Sequence, residues 1–585
     1  MPGRPCRCFM LLTLLMFLVA LATNVTPVAD LEGMGAQSTT VFSKSERQGL
    51  LLAGTPHAPI AIFGNANFSD TALLEGWPGD GSPGNPYVID GLDIDLGGGF
   101  GHCISISNTR VSFTFSNCHI IGANGWPGAG IYLENVTGGE LVNNTCSYNV
   151  VGIHLENSNS SIVMYNTCNY NYFGISLEES ESNTVANNTC SYNGDGIHLE
   201  NSNSNTVANN TCNSNNVGIG LYGSDSNTVA NNTCSYNGDG IHLENSNSST
   251  VMYNTCNSNV RGIYLDSSWD NTVASNSCNN NTADGIHLEY SRSNTVTDNT
   301  CSSNIEHGIY LHGSDNNTLV NNTCNNNHNG PDRFLVYSQN NTVVNNTCAS
   351  YGRMDTHGIH LTFSDYNTVA KNTWNDNWIG IYLYGSNHNT VANNTCSYNG
   401  DGIYLTNSNS STVVNNTCNN NTEHGIGLVY SQNNIVVNNI CNSNRIGIYL
   451  YASYSNTVAN NTFVGNIEHD IVEELETEWG FDPVVLLLMG LVGITVLGAA
   501  WREAYRAYVS EGKKWREAHS EERTLPKADQ EVLLAEERRR RALKEMYRDE
   551  INIPLGYWIV SWFRKRRVLK HEDVDEPLEP VSSDQ

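Results

Sequence analysis

The sequence predicts an all-β chain, a right-handed single-stranded parallel β-helix of about fifteen coils of roughly 22 residues, followed by one transmembrane helix and a short helical tail. Three observations carry this prediction. Cysteine recurs at Cys146, Cys168, Cys190, Cys212, Cys234, Cys256 and Cys278, always 22 residues apart, then slightly wider at Cys301, Cys324 and Cys348. The series runs on through Trp374, Cys396, Cys418, Cys441 and Phe463, and the residue two before each position is Asn every time. Between these marks, short β-prone pieces alternate with Asn, Ser and Gly, and no helical periodicity is present. A leucine-rich repeat has a similar period but needs several Leu per repeat and usually a helical return, neither of which occurs here.

Taken in order, residues 1–22 read as a signal peptide: Arg4 and Arg7, an apolar run from Phe9, and the small-x-small close Ala20-Leu21-Ala22. An uncleaved anchor would leave the following segment outside all the same. Residues 23–57 are a linker, residues 58–100 an N-terminal cap segment of the solenoid, and residues 101–466 the repeats. An acidic juxtamembrane linker, 467–482, leads to an apolar run at 483–501 whose core, Val484 to Ala500, holds no charge. That run is just long enough to cross a bilayer, and Arg502, Arg506, Lys513, Lys514 and Arg516 behind it place the tail, 502–585, in the cytoplasm by the positive-inside rule. The tail reads as helical from Lys527 to Ile551. Trp558, Trp562 and Phe563 beside Arg564–Arg567 suit either an anionic membrane surface or a small packed element.

The charge is uneven. Residues 23–482 hold 9 Lys+Arg against 40 Asp+Glu, whereas residues 501–585 hold 18 of each. An acidic ectodomain excludes nucleic acid, whose affinity comes from basic groups at phosphates, and favours cations or neutral and basic partners.

Within a coil such as GIHLEN from Gly152, alternation sends Ile153 and Leu155 inward and His154 and Glu156 outward. Stacking at ~4.8 Å turns the inward residues into columns along a rod of roughly 70 Å. Asn144, Asn166, Asn188 and their repeats are expected at bends, stacked as an amide ladder. Of the 17 cysteines, 13 stand in one column. Trp374 and Phe463 fill the same slot, so packing is favoured over a soft-metal stack, and Cys103 and Cys118 are the pair able to form a disulfide. Sequons such as Asn135, Asn143, Asn187 and Asn209 are potential N-glycan sites, most of them by-products of the repeat.

Three sets of outward residues are candidate sites. His154, His198, His242 and His287, with Glu156, Glu200, Glu244 and Glu289, form columns suited to divalent cations such as calcium, or to copper and zinc at His. Asp195, Asp239 and Asp284 border them. Tyr382, Tyr384, Tyr404, Tyr449 and Tyr451 replace them further along and offer apolar faces with hydroxyls for stacking on sugars. The uneven coils hold Asp332, Arg333, Arg353, Asp355, His357 and His360, a set with the chemistry for acid/base work on a polysaccharide. Against each stands the plainer reading of a solvated strand face or an ordinary loop.

From Ala58 to Asn466 the repeats, with the leading stretch GWPGDGSPGNPYVIDGLDID, resemble parallel β-helix repeat proteins. The resemblance points to the NosD-like periplasmic copper-binding group and the wider carbohydrate-binding and sugar-hydrolysing superfamily. It implies the fold and, for NosD-like proteins, copper delivery with a membrane transporter as partner. The NTD, DD, GHG and RxK set of polygalacturonases, the DPHE of epimerases and the calcium-carboxylate cluster of pectate lyases are not found. The expectation is therefore a membrane-anchored, non-catalytic surface protein binding glycans or metal ions. A polysaccharide lyase or hydrolase around His357 stands second and a copper-delivery factor third.

Overall fold

The computed structural model describes residues 54–327, 335–350 and 356–475. The signal segment, the apolar run 483–501, the tail, and Asp332, Arg333, Arg353 and Asp355 lie outside them. No helix among the described residues is long and apolar enough to cross a membrane.

The chain winds as a right-handed parallel solenoid of about 17 coils. One sheet of 18 strands runs from Ile60–Phe63 to His469–Glu474, and a second of 17 from Tyr87–Asp90 to Thr457–Ala459, every pairing parallel. The third side begins as strands Thr55–Pro56, Leu92–Asp95, His119–Ile121 and Thr145–Cys146, then continues mostly as single bridges such as Thr145↔Thr167 and Thr167↔Thr189, with one further strand pair, Thr347–Ala349 and Thr373–Asn375.

The expectation of about fifteen coils falls short because the cap segment is itself wound into the solenoid. Ile60 pairs with Ile104 and Tyr87 with Phe113, so the coils ahead of Cys146 are complete without an Asn-x-Cys mark. In their third strand the register runs Cys146↔Ile120 and Ile120↔Ile94, which puts isoleucine in the cysteine slot. Helix Gly64–Glu75 interrupts the first coil and inserts Phe68 into the core, stacked on Tyr87 at 5.6 Å and beside Phe113 at 5.2 Å.

Each coil contributes four inward side chains, for example Ile153, Leu155, Val163 and Cys168, all fully buried. A coil alone cannot close around them. Stacked, each Ile or Leu removed from water stabilises by roughly 1.5–3 kcal/mol. The column cysteines in the described residues are buried free thiols, as a packing role requires. Cys103 and Cys118 are also free: their sulfurs donate instead to the carbonyls of Ile121 (3.3 Å) and Ser116 (3.2 Å). Burial pushes these two thiols up to about 12 and about 11, so neither is a ready nucleophile.

The amide ladder is present, with one correction. Asn166 donates Nδ2 to Leu141 O (2.8 Å) and to Asn188 Oδ1 (3.0 Å), and the same pattern continues from Asn188 to Asn210. These buried asparagines do not make the left-handed bends. The residue before each does: Asn143, Tyr165, Asn187 and Asn209 have φ of 56–58°. Sequence reading merged two jobs held by adjacent residues. A serine ladder, Ser158 to Ser180 to Ser202 through backbone N–H to Oγ bonds of 2.9–3.0 Å, closes the end of each first-sheet strand.

One coil departs from the pattern. Its described first-sheet strand is only Leu335–Val336, paired with Leu311 and His312.

Candidate functional site

The outer face of the first sheet brings the two outward sets into common columns. Register carries Tyr132 to His154, Ser176, His198, Gly220, His242, Tyr264, His287 and Tyr310, one per coil. Beyond the irregular coil the same column holds His360, Tyr382, Tyr404, Gly427 and Tyr449. Two residues on, Glu156, Glu200, Glu244 and Glu289 share a column with Tyr222, Asp266 and His312, and, past the irregular coil, Tyr384 and Tyr451 stand at the same strand position.

The histidines are not a solvated strip. Their side chains are only 13–15 % exposed, because aromatic rings close over them. Phe173, His198, Tyr222, His242, Tyr264, His287 and Tyr310 follow one another with ring centroids 4.4–5.6 Å apart. Gly220 makes this continuity possible: a Cβ there would lie 2.5 Å from the Tyr222 ring, which folds into the vacant slot. Tyr404 lies over Gly427 in the same way, at 2.4 Å.

Burial lowers His154 to about 4 and also lowers His242, so both imidazoles are neutral at physiological pH and carry a lone pair for a metal. His154 Nε2 lies 3.6 Å from Glu178, and His154, Glu156 and Glu178 each offer a donor atom within 4.8 Å of the others. Hydrogen bonding from His312 and Tyr264 holds Glu289 down at about 2; the Tyr264 hydroxyl donates to it at 2.6 Å.

A second cluster was not legible as a unit. Asp284, almost fully buried, receives the His307 backbone N–H (3.0 Å) and lies 2.7 Å from His307 Nδ1, with His287 Nδ1 at 3.0 Å from its other oxygen. Burial works against ionisation here, yet bonding to the two imidazoles keeps this carboxyl well below the usual carboxylate range. Tyr310 stacks on His307 at 4.8 Å and 15°.

The same face carries a row of exposed aromatic rings. Tyr290, Tyr337, Phe363 and Tyr384 are 37–47 % exposed. With His312 they form a row: Tyr290 to His312 5.4 Å, His312 to Tyr337 6.2 Å, Tyr337 to Phe363 5.6 Å at 11°, Phe363 to Tyr384 5.5 Å. Tyr290, Tyr337 and Phe363 have φ of 48–50°, a left-handed conformation that costs a bulky residue energy and that Asn takes at the matching positions 157, 201 and 245. Gly313 and Gly385, where an added Cβ would meet the Tyr290 and Phe363 rings at 2.7 Å, let those rings lie flat along the rod. The available signal was an aromatic residue ahead of the recurring Ser, at a position that, Tyr430 apart, otherwise holds Asn, Gly or another small or polar residue.

Of the predicted tyrosines, Tyr384 joins this row and Tyr382 sits behind it, 6.4 Å away. Tyr404, Tyr449 and Tyr451 do not. Tyr449 bonds Glu474 at 3.1 Å, and Tyr451 packs edge-on against Tyr430. His357 and His360 do come together, 5.1 Å apart and close to Tyr382, on a cavity of about 40 Å³ shared with Glu306, His307, Cys324, Cys348 and Trp374. There the cysteine column nears the surface, with Cys324 and Cys348 7 % and 6 % exposed.

Comparison with known proteins bears on family. Among solved structures, the chain is similar to the A-module of the Azotobacter vinelandii mannuronan C-5 epimerase AlgE4. That match has 12 % identity and TM-score 0.28, covering 70 % of this chain and 94 % of that one. It is also similar to the Dettilon tailspike protein (15 %, 0.32, covering 53 % and 59 %) and to PfbA, a surface adhesin of Streptococcus pneumoniae (11 %, 0.23, covering 64 % and 86 %). No curated protein matches the sequence. The sequence model described as periplasmic copper-binding protein (NosD) matches residues 107–284, 254–330, 278–353 and 329–482, together most of the solenoid, and the chain therefore belongs to the NosD family.

Proposed function

We propose that this is an exported, non-catalytic β-helix that holds an extended neutral or amino-sugar polysaccharide along the row Tyr290, His312, Tyr337, Phe363 and Tyr384. Under this reading the apolar run 483–501 anchors it to the membrane. The supporting observation is the ring row itself, whose Tyr290, Tyr337, Phe363 and Tyr384 side chains are 37–47 % exposed and follow one another from coil to coil. Successive coils space the rings along the rod axis, the direction an extended glycan would follow. The charge balance of 9 Lys+Arg against 40 Asp+Glu in residues 23–482 disfavours polyuronates and leaves neutral or cationic sugars.

Titration calorimetry of the purified full chain with neutral and amino-sugar hexasaccharides tests this. At least one binds, and Tyr337→Ala and Phe363→Ala each weaken it about 3- to 10-fold while Tyr451→Ala changes nothing. No binding across the panel, or equal losses in all three variants, contradicts the proposal. Release of reducing ends or unsaturated sugars in the same samples would instead support catalysis near His357 and His360.

A second reading, copper carriage with a membrane transporter as partner, is favoured by one observation. The family description implies copper, and His154, Glu156 and Glu178 fit it, since a neutral, half-buried imidazole and two carboxylates each offer a donor atom within 4.8 Å of the others. Copper there is cargo, held and passed on. His154→Ala is expected to lower Cu²⁺ affinity at least tenfold, measured by competition with a chelator. Unchanged affinity counts against it.

A further inference from the structure

We infer that an open pocket at Trp269 and Arg292 is a subsite for an N-acetylated amino sugar, which rests on the glycan-binding function proposed above and names one of its sugar units. The pocket, of about 180 Å³, is lined by Trp269, Asp270, Arg292, Ser293 and Asn316. Arg292 follows Tyr290, the first ring of the row, by two residues, so the pocket adjoins that end of the row. Register puts Trp269, Arg292 and Asp315 in one outward column, because Asp266 pairs with Glu289 and Glu289 with His312.

This column is otherwise a ladder in which a side-chain oxygen accepts the backbone N–H one coil on. Asn203 accepts from Asp225 at 2.7 Å, Asp225 from Asn247 at 2.6 Å and Asn247 from Trp269 at 2.8 Å. It resumes at Asp315, which accepts from Gln339 at 2.7 Å. Trp and Arg side chains have no acceptor, so two successive rungs are missing, and the Arg292 and Asp315 N–H groups lose what Asn or Asp would supply. That loss has no structural return, whereas a ligand would use it. Trp269 is 50 % exposed and offers an apolar face to a pyranose ring. The Arg292 guanidinium is well exposed and lies 3.7 Å from Asp315, beyond hydrogen-bond reach, so it keeps donors for a ligand. These donors suit an acetamido C=O, and the exposed Asp270 carboxylate suits the acetamido N–H. The ammonium of an unacetylated amino sugar would instead meet the positive charge of Arg292.

Titration calorimetry of the full chain with β-1,4-linked hexasaccharides of N-acetylglucosamine, glucosamine and glucose provides the test. The acetylated hexasaccharide is expected to bind about tenfold more tightly than the other two. Trp269→Asn and Arg292→Asn each restore the residue type of neighbouring coils, so they keep the wild-type melting curve, and each abolishes the preference. Tyr337→Ala weakens every hexasaccharide that binds and leaves their ratio unchanged. Equal affinity for the three, or a preference that survives Trp269→Asn, overturns the subsite. A preference lost in Trp269→Asn with binding unchanged in Tyr337→Ala supports the subsite and overturns the row, and no binding of any hexasaccharide overturns both.

Discussion

Asn232→Ala is expected to destabilise the central coils by about 3–5 kcal/mol. The side chain donates to Val207 O at 2.9 Å and to Asn254 Oδ1 at 3.0 Å, and its own oxygen accepts the Asn210 backbone N–H at 2.8 Å. Truncation strands a buried carbonyl and a buried N–H with no water to replace the lost partner, each costing about 1–3 kcal/mol. Asn231, its exposed neighbour with φ of 57°, carries none of this, and Asn231→Ala is expected to cost only the modest strain of a left-handed alanine. Because coils interact only with nearest neighbours, the damage should be local. Hydrogen exchange of the coils between Val185 and Cys278 measures it, and protection in Asn232→Ala within 1 kcal/mol of wild type would show that the ladder is not a stabilising element.

Gly240→Ala has the second large effect. Its Cβ would sit 2.5 Å from Gly262 O and 2.8 Å from Asn259 Nδ2, and the first of these is backbone fixed in the next coil. The column repeats the constraint, as Gly218 faces Gly240 O at 2.4 Å. Relief requires coils to separate, breaking first-sheet hydrogen bonds. A cost of about 3 kcal/mol is expected, against about 1 kcal/mol for Gly138→Ala, where a Cβ meets nothing within 4 Å and only the φ of 78° is unfavourable. Comparable melting temperatures for the two variants would contradict the close-approach account.

The fold was legible because a solenoid writes its geometry into its period. A spacing of 22 residues, Asn two before each Cys, and Ile and Leu in alternation fix the coil length, the ladder and the core columns before any coordinates are seen. What escaped the sequence depended on register across coils. Ile94 and Ile120 hold the cysteine slot without its mark, so the early coils went uncounted. Asp284 and His307 are 23 residues apart and meet only because strands pair in parallel one coil on. Tyr290, Tyr337 and Phe363 stand where small or polar residues make most of the bends, so they read as bends, and only the stacking of coils brings their rings into one row. The histidine column was found, but its burial was not. Rings from intervening coils, above all Tyr222 folded over Gly220, cover what alternation alone places in solvent.

The central claim, that ligand lies along the exposed ring row, is tested most directly by carbene footprinting of the full chain with and without a saturating hexasaccharide. Protection of Tyr290, His312, Tyr337, Phe363 and Tyr384, with Tyr449 and Tyr451 unchanged, is the result predicted. Protection confined to Tyr449 and Tyr451, or no protection at the row, would contradict it.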